Sequence, residues 1–538
     1  MDKTLINIEE LQRAAGNISQ EISGINVRHF KRIIEKPFLK TEKETTTILL
    51  GGFTTRHDYF VRAGIEGLGY KVQQLPTPNI EAFHTGREYC NNGQCNPTYF
   101  TVGNLINYLH QLEAQGFTKK YIINNYILVT AGACGPCRFG MYESEYRLAL
   151  RISGFDGFRV ITFQQAEGFS QVKDKSGLEM NEKFFFGIVI GIVLADILND
   201  IAFKIRPYEV VKGAADELMA EATEEIFFSI LKKQRLLNNS KRNSLYSLLA
   251  DQVLSTVYTD VLKIIGSKLR QIKVDHLRQV PIVKVTGEFW AQTTEGDGNF
   301  KMFSYLEKEG AEVLVEPIST WLLYLLYDVN QYMTDRRGLP GVSANKLNYL
   351  KKKVLIKLGE LLLTREYNRF RKQFNYLPQP LTNQYLLEKL AHPFYNTRAK
   401  GGEGHLEVAK SIYHTANNLC HMVLSLKPFG CLPSTQSDGV HSVVTSHYPD
   451  MIFLPIETSG EGEINAYSRV QMALTDARIK CRNEFENALE KTKLSVEAAK
   501  EFISENNQLQ SPFYRIPKMK GVIGRSANLV YHIKRLMK

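Results

Sequence analysis

Short β-branched runs ending in glycine, each followed by a stretch with helical spacing, recur along this chain and restrict its fold more than any other feature. TTTILLGG (45–52) precedes YFVRAGIEGL (59–68), and the extended GYKVQQLP (69–76) follows. A period that switches from 2 to 3.6 and back describes a β-α-β unit. The alternation continues with a helix over 100–112, the strand-like YIINNYILVT (121–130), a helix over 143–152 and the strand-like FRVITFQ (158–164). Strands and helices alternating at this spacing predict a parallel sheet with helices on its faces. Residues 183–270 read as helix throughout and contain one proline, Pro207. The β pattern then restarts with QVPIVKVTGEF (279–289), a helix over 303–308 and AEVLVEP (311–317). After helix-rich residues 319–395 come a helix over 406–419, HMVLSLKPFG (421–430), a helix around 440–446, MIFLPIE (451–457) and a long helix over 465–489.

The predicted architecture is therefore α/β: two Rossmann-like lobes with parallel sheets and additional helical segments. Residues 1–45 form a helical N-terminal extension, 46–275 the first α/β lobe with its helical connector, 276–505 the second α/β lobe, and 506–538 a basic C-terminal helix.

A chain of 538 residues, 43% hydrophobic and 23% charged, is neither disordered nor fibrous. Seven cysteines are too few for a disulfide scaffold of this size. The longest apolar run, Phe184 to Ala195, spans 12 residues before Asp196, short of the ~20 that cross a bilayer, and reads as a buried helix. The first residues have no long apolar core or small-residue cleavage site, so a cytoplasmic protein with no membrane segment is expected. The net charge of +11 raises nucleic-acid binding, but basic and acidic residues interleave over most of the chain. Arg515, Lys518, Lys520, Arg525, Lys534, Arg535 and Lys538 form an acid-free tail, expected to dock through Ile523, Leu529, Val530, Ile533 and Leu536 rather than on nucleic acid.

The placement of the cysteines carries the chemistry. Cys134 and Cys137 follow a strand and precede a helix in VTAGACGPCRFG; Cys431 does the same in LKPFGCLPSTQSDGV; Cys90 and Cys95 lie in CNNGQCNPTYFTVG, ahead of another helix. Loops beyond the carboxyl ends of parallel strands are where such sheets bind ligands. Cys-Gly-Pro-Cys alone fits a thiol–disulfide site or a zinc chelate. Three cysteine loops in similar settings, with His84 the nearest histidine to the first pair, favour pooled thiolates and an iron–sulfur cluster. Cys420 and Cys481 lie apart from these loops and read as structural.

YCNNGQCNPTYFTVGNLI, GACGPCRFGMYESEYR, TGEFWAQTTEGDGN, AKGGEGHLEVAKSIY, KPFGCLPSTQSDGV and FLPIETSGEGEINAYSRVQMAL resemble the iron–sulfur proteins related to 2-hydroxyacyl-CoA dehydratases, a CoA-enzyme-activase-like group that includes double-cubane-cluster reductases. The resemblance spans about residues 47–475. It implies two Rossmann-like lobes holding an oxygen-sensitive cluster, reduced at low potential by a separate ATP-dependent activator, in a homo- or hetero-oligomer acting on a small molecule such as an acyl-CoA. Cys95, Cys137 and Cys431 match the ligand positions; Cys134 and Cys90 are further thiols that would complete a second cubane or stay free. Three cysteine ligands leave one iron of a [4Fe–4S] cluster open as a Lewis acid or electron donor. The chain departs from the larger members in lacking their fused ATP-binding part. Its glycine clusters, Gly51-Gly52 and Gly401-Gly402-Glu403-Gly404, lack the Lys-Ser/Thr of a phosphate-binding loop. No motif specifies a CoA thioester.

Other groups fall beside these loops. Arg138 is placed to pair with cluster or substrate anion, or with a surface acid. Glu288 and Glu316 close the first two strands of the second lobe, as an acid–base group or as helix caps. His405 opens a helix behind glycines, as a substrate contact or a cap. Ser434 and Asp438 are expected to cap the helix near 440. The segment from Glu457 through Ser459, Glu463 and Asn465 reads as a substrate- or partner-facing loop, with Glu457 a candidate for catalysis beside Glu288 and His405.

Overall fold

The computed structural model describes residues 35–132, 137–164, 177–240, 245–339, 346–399 and 402–537. Most of the predicted N-terminal extension, and Cys134, lie outside the described residues. Contacts divide the chain into Met1–Lys36 and Pro37–Lys538, and everything below concerns the second unit.

The fold is mixed α/β with two four-stranded, all-parallel sheets. The first contains β1 (Thr47–Leu50), β2 (Lys71–Gln74), β3 (Tyr126–Gly132) and β4 (Arg159–Gln164), in the order β2-β1-β3-β4. The second contains β5 (Ile282–Gly287), β6 (Glu312–Val315), β7 (Met422–Pro428) and β8 (Ile452–Thr458), in the order β6-β5-β7-β8. Each order therefore places the first and third strands of its lobe side by side, with the second outside the first. Successive strands run to opposite sides at that junction, so the crevice above it is where an open parallel sheet receives a ligand.

Local sequence sets the helix starts. In α1 (Thr55–Glu66), the Thr54 side chain accepts from the His57 N–H, satisfying one of the unpaired first-turn donors. The helices α2 (Ile80–Tyr89) and α3 (Asn96–Ala114) pack closely: Gly86 and Gly103 lie where an added Cβ would come within 1.9 Å of Tyr99 O and 1.8 Å of Ala82 O. The strand expected over 121–130 is half helix. Thr118 caps α4 (Lys119–Asn125), and β3 begins only at Tyr126. Ile122 is buried there without alternation, so the apolar run alone did not separate the two states. After β3, α5 (Tyr142–Ile152) leads to β4.

The apolar run at Phe184 belongs to a longer helix, α6 (Glu182–Ile205), of 24 residues. It is the one described helix long and apolar enough to cross a membrane, and 72% of its most apolar window is buried. The connector continues through α7 (Ala214–Asn238), α8 (Leu245–Leu254) and α9 (Val257–Leu269). α6 packs with α7 and α9 in a core that also takes Tyr367 and Phe370 from α12 (Lys346–Lys372). This largely helical core holds the connector against the body by apolar burial. The second lobe adds α10 (Met302–Lys308), α11 (Ile318–Asp335), α13 (Gln384–Ala391), α14 (Leu406–Ala416), α15 (Leu432–His447) and α16 (Glu463–Thr492), followed by α17 (Val496–Glu505). In the tail, α18 (Arg525–Leu536) buries Leu529, Val530 and Ile533 against α16, while Arg525 reaches Glu312 at 3.0 Å. Ile523 is buried as well; Leu536 stays exposed.

Candidate functional site

Cys95, Cys137 and Cys431 share one structural role: each is the residue immediately before a helical segment. Cys95 precedes α3, Cys137 precedes a 3-10 turn (Arg138–Met141) that runs into α5, and Cys431 precedes α15, all with extended backbone. Both long helices read Cys-x-Pro followed by a hydroxyl residue, Thr98 or Ser434. Proline in the first turn costs no hydrogen bond because its N–H would be unpaired there. The Thr98 hydroxyl lies 3.2 Å and the Tyr142 hydroxyl 3.1 Å from the Cys95 sulfur. Helix amino ends and hydroxyl donors both favour a thiolate.

Two of these cysteines occupy equivalent places, Cys137 after β3 and Cys431 after β7, the third strand of each lobe. The Asn96 N–H donates to Phe429 O at 3.2 Å, tying the start of α3 to the turn after β7. A Cβ added at Gly430, at φ +74°, would lie 3.7 Å from the Cys95 Cα, so the turn faces the Cys95 loop. Arg138 donates to Gly93 O, so it clasps the Cys90–Cys95 loop; no anion is needed to explain its position. The three thiols lie within electrostatic reach of Glu288, and Cys137 within reach of Cys95 and Cys431.

Burial dominates their acidity. It pushes Cys137 and Cys431 up to about 12 and raises Cys95, with the Glu288 charge adding to each rise. The Thr98 and Ser434 hydroxyls and N–H groups oppose it. As free thiols these groups are therefore protonated at neutral pH, and they would ionise only beside a strong positive charge. Cys90 ends α2 and packs near Glu145 in the first lobe's core, the same cluster that takes Cys95. Cys420 and Cys481 are buried elsewhere.

The loops after the first strands correspond too. After β1, Gly52 (φ +132°) and Phe53 donate to the buried Asp58 carboxylate at 3.1 and 3.3 Å. At the end of β5, Gly287 (φ +119°) leads to Glu288, whose carboxylate accepts from the Ala291 N–H at 2.9 Å. Burial raises both acids to about 7, against the pull of those loop N–H groups. Asp58 thus occupies the N–H groups that a phosphate would need in the Gly51-Gly52 loop.

Glu403, which the sequence did not single out, is 4% exposed, and neither oxygen has a hydrogen-bond partner; Lys410 stands 3.6 Å away. Burial raises it to about 6. It is bracketed by Gly402 and Gly404, at φ +55° and +54°, where an added Cβ would meet Pro433 at 2.8 Å and the Tyr324 hydroxyl at 2.5 Å. The loop is thereby pressed against the start of the Cys431 helix.

Other candidates fall outside this group. His405 is buried between the Tyr324 and Tyr327 rings, and burial lowers it to about 4, so it is a neutral core imidazole. Glu457 is exposed near the end of β8, in register with Lys427. Glu316 is committed to Lys284 at 2.8 Å and to the Thr382 hydroxyl. Ser434 and Asp438 lie inside α15, which starts eight residues earlier than its apolar spacing indicates; Asp438 pairs with Lys427. Lys284 itself was a legible signal, a cation inside the apolar strand IVKVTG.

Among the described residues, no three His, Cys, Asp or Glu side chains are grouped to hold a single metal ion. A cubane spaces its ligands around a larger core. The buried Cys95 and Cys431 and the half-buried Cys137, each directly ahead of a helical segment and with the Glu403 carboxylate within reach of Cys137, fit such a group in donor type. The chain matches no family model and no curated protein.

Proposed function

We propose that this chain is an iron–sulfur protein related to the 2-hydroxyacyl-CoA dehydratases, with Cys95, Cys137 and Cys431 as cluster ligands. The observation that supports the reading is that Cys137 lies within electrostatic reach of both Cys95 and Cys431, thiols from three separate loops, two of them at equivalent positions of two like sheets. When bound, the cluster supplies low-potential electrons and an open iron. The chain's own residues bind, shield and manage protons. The Thr98 and Tyr142 hydroxyls orient the Cys95 sulfur, Arg138 holds the loops together, and Glu288, raised to about 7, is available to hold or release a proton at neutral pH. Electrons would come from a separate ATP-dependent activator, and the reaction would be a difficult reduction or a radical dehydration of a small molecule, acyl-CoA being one class. Cytoplasmic location and assembly into an oligomer belong to the same reading.

Purification without oxygen, followed by iron and sulfide analysis, is the test. Coloured protein with about four irons per cubane, lost in Cys431→Ser, supports it; colourless, iron-free protein overturns it. A local Cys134/Cys137 redox or zinc site would be indifferent to Cys431→Ser. Burial that pushes the Cys137 thiol up to about 12 works against a reactive redox thiolate. A cluster without substrate turnover after reduction by an activator would mark an accessory carrier instead.

A further inference from the structure

The helix α12 is apolar on two opposite sides. Its inner side is committed to the body: Ile356, Tyr367 and Phe370 are buried, the last two in the core built on α6, and a Cβ added at Gly359 would lie 3.6 Å from Leu326 of α11. Its outer side carries Leu347, Leu350, Val354 and Leu361, spaced i, i+3, i+7 and i+14, which is one face of a helix. These four are 57–64% exposed, with Leu355 beside them at 44%. An apolar stripe facing water, on a helix whose other side is already packed, marks a surface that something covers.

The charge around the stripe has one sign. Residues 346–359 contain five lysines and no acid. By helical spacing, Lys351 falls on one side of the stripe and Lys353 and Lys357 on the other. Lys357 pairs with Glu360 at 2.7 Å, whereas Lys351 and Lys353 form no ion pair among the described residues.

This combination selects the cover. A second copy of the chain would set lysines against lysines. Nucleic acid would satisfy the lysines and leave the leucines in water, and the neighbouring Tyr349 is half-buried with the Lys353 ammonium over its ring at 5.4 Å. A partner helix needs an apolar seam sustained over at least about three heptads, and Lys357 interrupts this one at its fourth position. An anionic lipid surface satisfies both parts: the leucines enter the boundary of the acyl chains while the lysines reach the phosphates, their stems lying along the stripe. Among the described helices only α6 is long and apolar enough to cross a membrane, so α12 would lie in such a surface and not span it.

We propose that the outer face of α12 docks on an anionic lipid surface, with Leu347, Leu350, Val354 and Leu361 entering the headgroup boundary and Lys351, Lys353 and Lys357 meeting lipid phosphates. The docking is independent of the cysteine centre and stands whether or not a cluster is present.

Cosedimentation of the full chain with large unilamellar vesicles tests it, phosphatidylcholine alone against phosphatidylcholine mixed with phosphatidylglycerol. Binding is expected to the mixed vesicles only, and to weaken as salt is raised. Leu350→Gln/Val354→Gln, at exposed positions that leave folding intact, and Lys351→Gln/Lys353→Gln should each weaken it about tenfold or more. Lys491→Gln/Lys500→Gln, the same charge change at exposed lysines elsewhere, should leave it unchanged. Absence of binding to the mixed vesicles overturns the proposal, as does binding that survives the Leu350/Val354 variant, which would mark adhesion by charge alone. Salt-sensitive binding to polyuridylate in place of vesicles would assign the face to nucleic acid, and a dimer lost in the Leu350/Val354 variant would assign it to a second copy; either result overturns the proposal.

Discussion

The two sheets share a strand order, a positive-φ glycine at the carboxyl end of the first strand, an acid that braces the following loop and a cysteine after the third strand, yet their interiors differ. The first is apolar on its central strands, at Ile48, Leu49, Ile127 and Leu128, and its buried cation Arg159 lies on the edge strand β4, bonded to Glu42 at 3.2 Å. The second buries charges: Lys284, fully enclosed on β5, bonds Glu316, and Lys427 on β7 meets Glu407 at 3.2 Å. Glu407 also accepts from Ser425 at 2.7 Å. The shared frame positions the loops; the difference shows that the frame tolerates either interior provided every buried charge has a partner.

The largest test of that contrast is Lys284→Met, which leaves Glu316 buried with its main counter-ion gone. A loss of about 3–5 kcal/mol is expected in denaturant unfolding. Leu49→Met at the centre of the first sheet should cost under ~1.5 kcal/mol. Equal losses would erase the distinction between the interiors.

The paired glycines give a smaller effect. Gly52 has open space around its missing Cβ, whereas a Cβ at Gly287 would lie 2.0 Å from Leu426 O. Both alanine variants carry backbone strain, but Gly287→Ala should be worse by about 1–3 kcal/mol, the usual cost of forcing atoms into a filled site. A matching loss at both positions would mean that the second lobe yields at this turn.

Asp58 and Glu288 should behave alike. Each has a folded-state pKa of about 7, raised by burial above its ordinary value of 3.8 or 4.5. The folded state thus binds more protons than the unfolded one between about pH 4 and 7, so these acids make stability fall as pH rises through that window. Asp58→Asn and Glu288→Gln should each flatten the decline in unfolding free energy measured against pH, and the double variant should flatten it further. A slope unchanged in either variant would remove that acid from the parallel. Least of all, Glu461→Gln removes the exposed partner of Arg87, 3.6 Å away, and should change stability by less than ~1 kcal/mol.

Much of the frame was legible because strands such as TILL and MVLSLKP are short apolar runs bounded by turn residues, and helices such as 143–152 carry their own period. Boundaries were less so. Pro97 and Pro433 look like breakers, yet each sits in the first turn of a helix, so α3 and α15 begin directly after their cysteines. The cysteine loops were visible by composition alone. Glu403 was not, because its meaning depends on how Gly402 and Gly404 fold against Pro433 and Tyr324, contacts remote in sequence.

Asp196 has a mechanical consequence. From within α6, its carboxylate takes the His57 ring at the start of α1 and the N–H groups of Ile318 and Ser319, each at 2.8 Å, at the start of α11. One side chain thereby pins the leading helix of one lobe to a helix of the other. It works beside other ties between the lobes, the Ile80 N–H to Asp297 at 2.8 Å and the Asn96 N–H to Phe429 O at 3.2 Å, so the cysteine loops hang in a frame braced at several points.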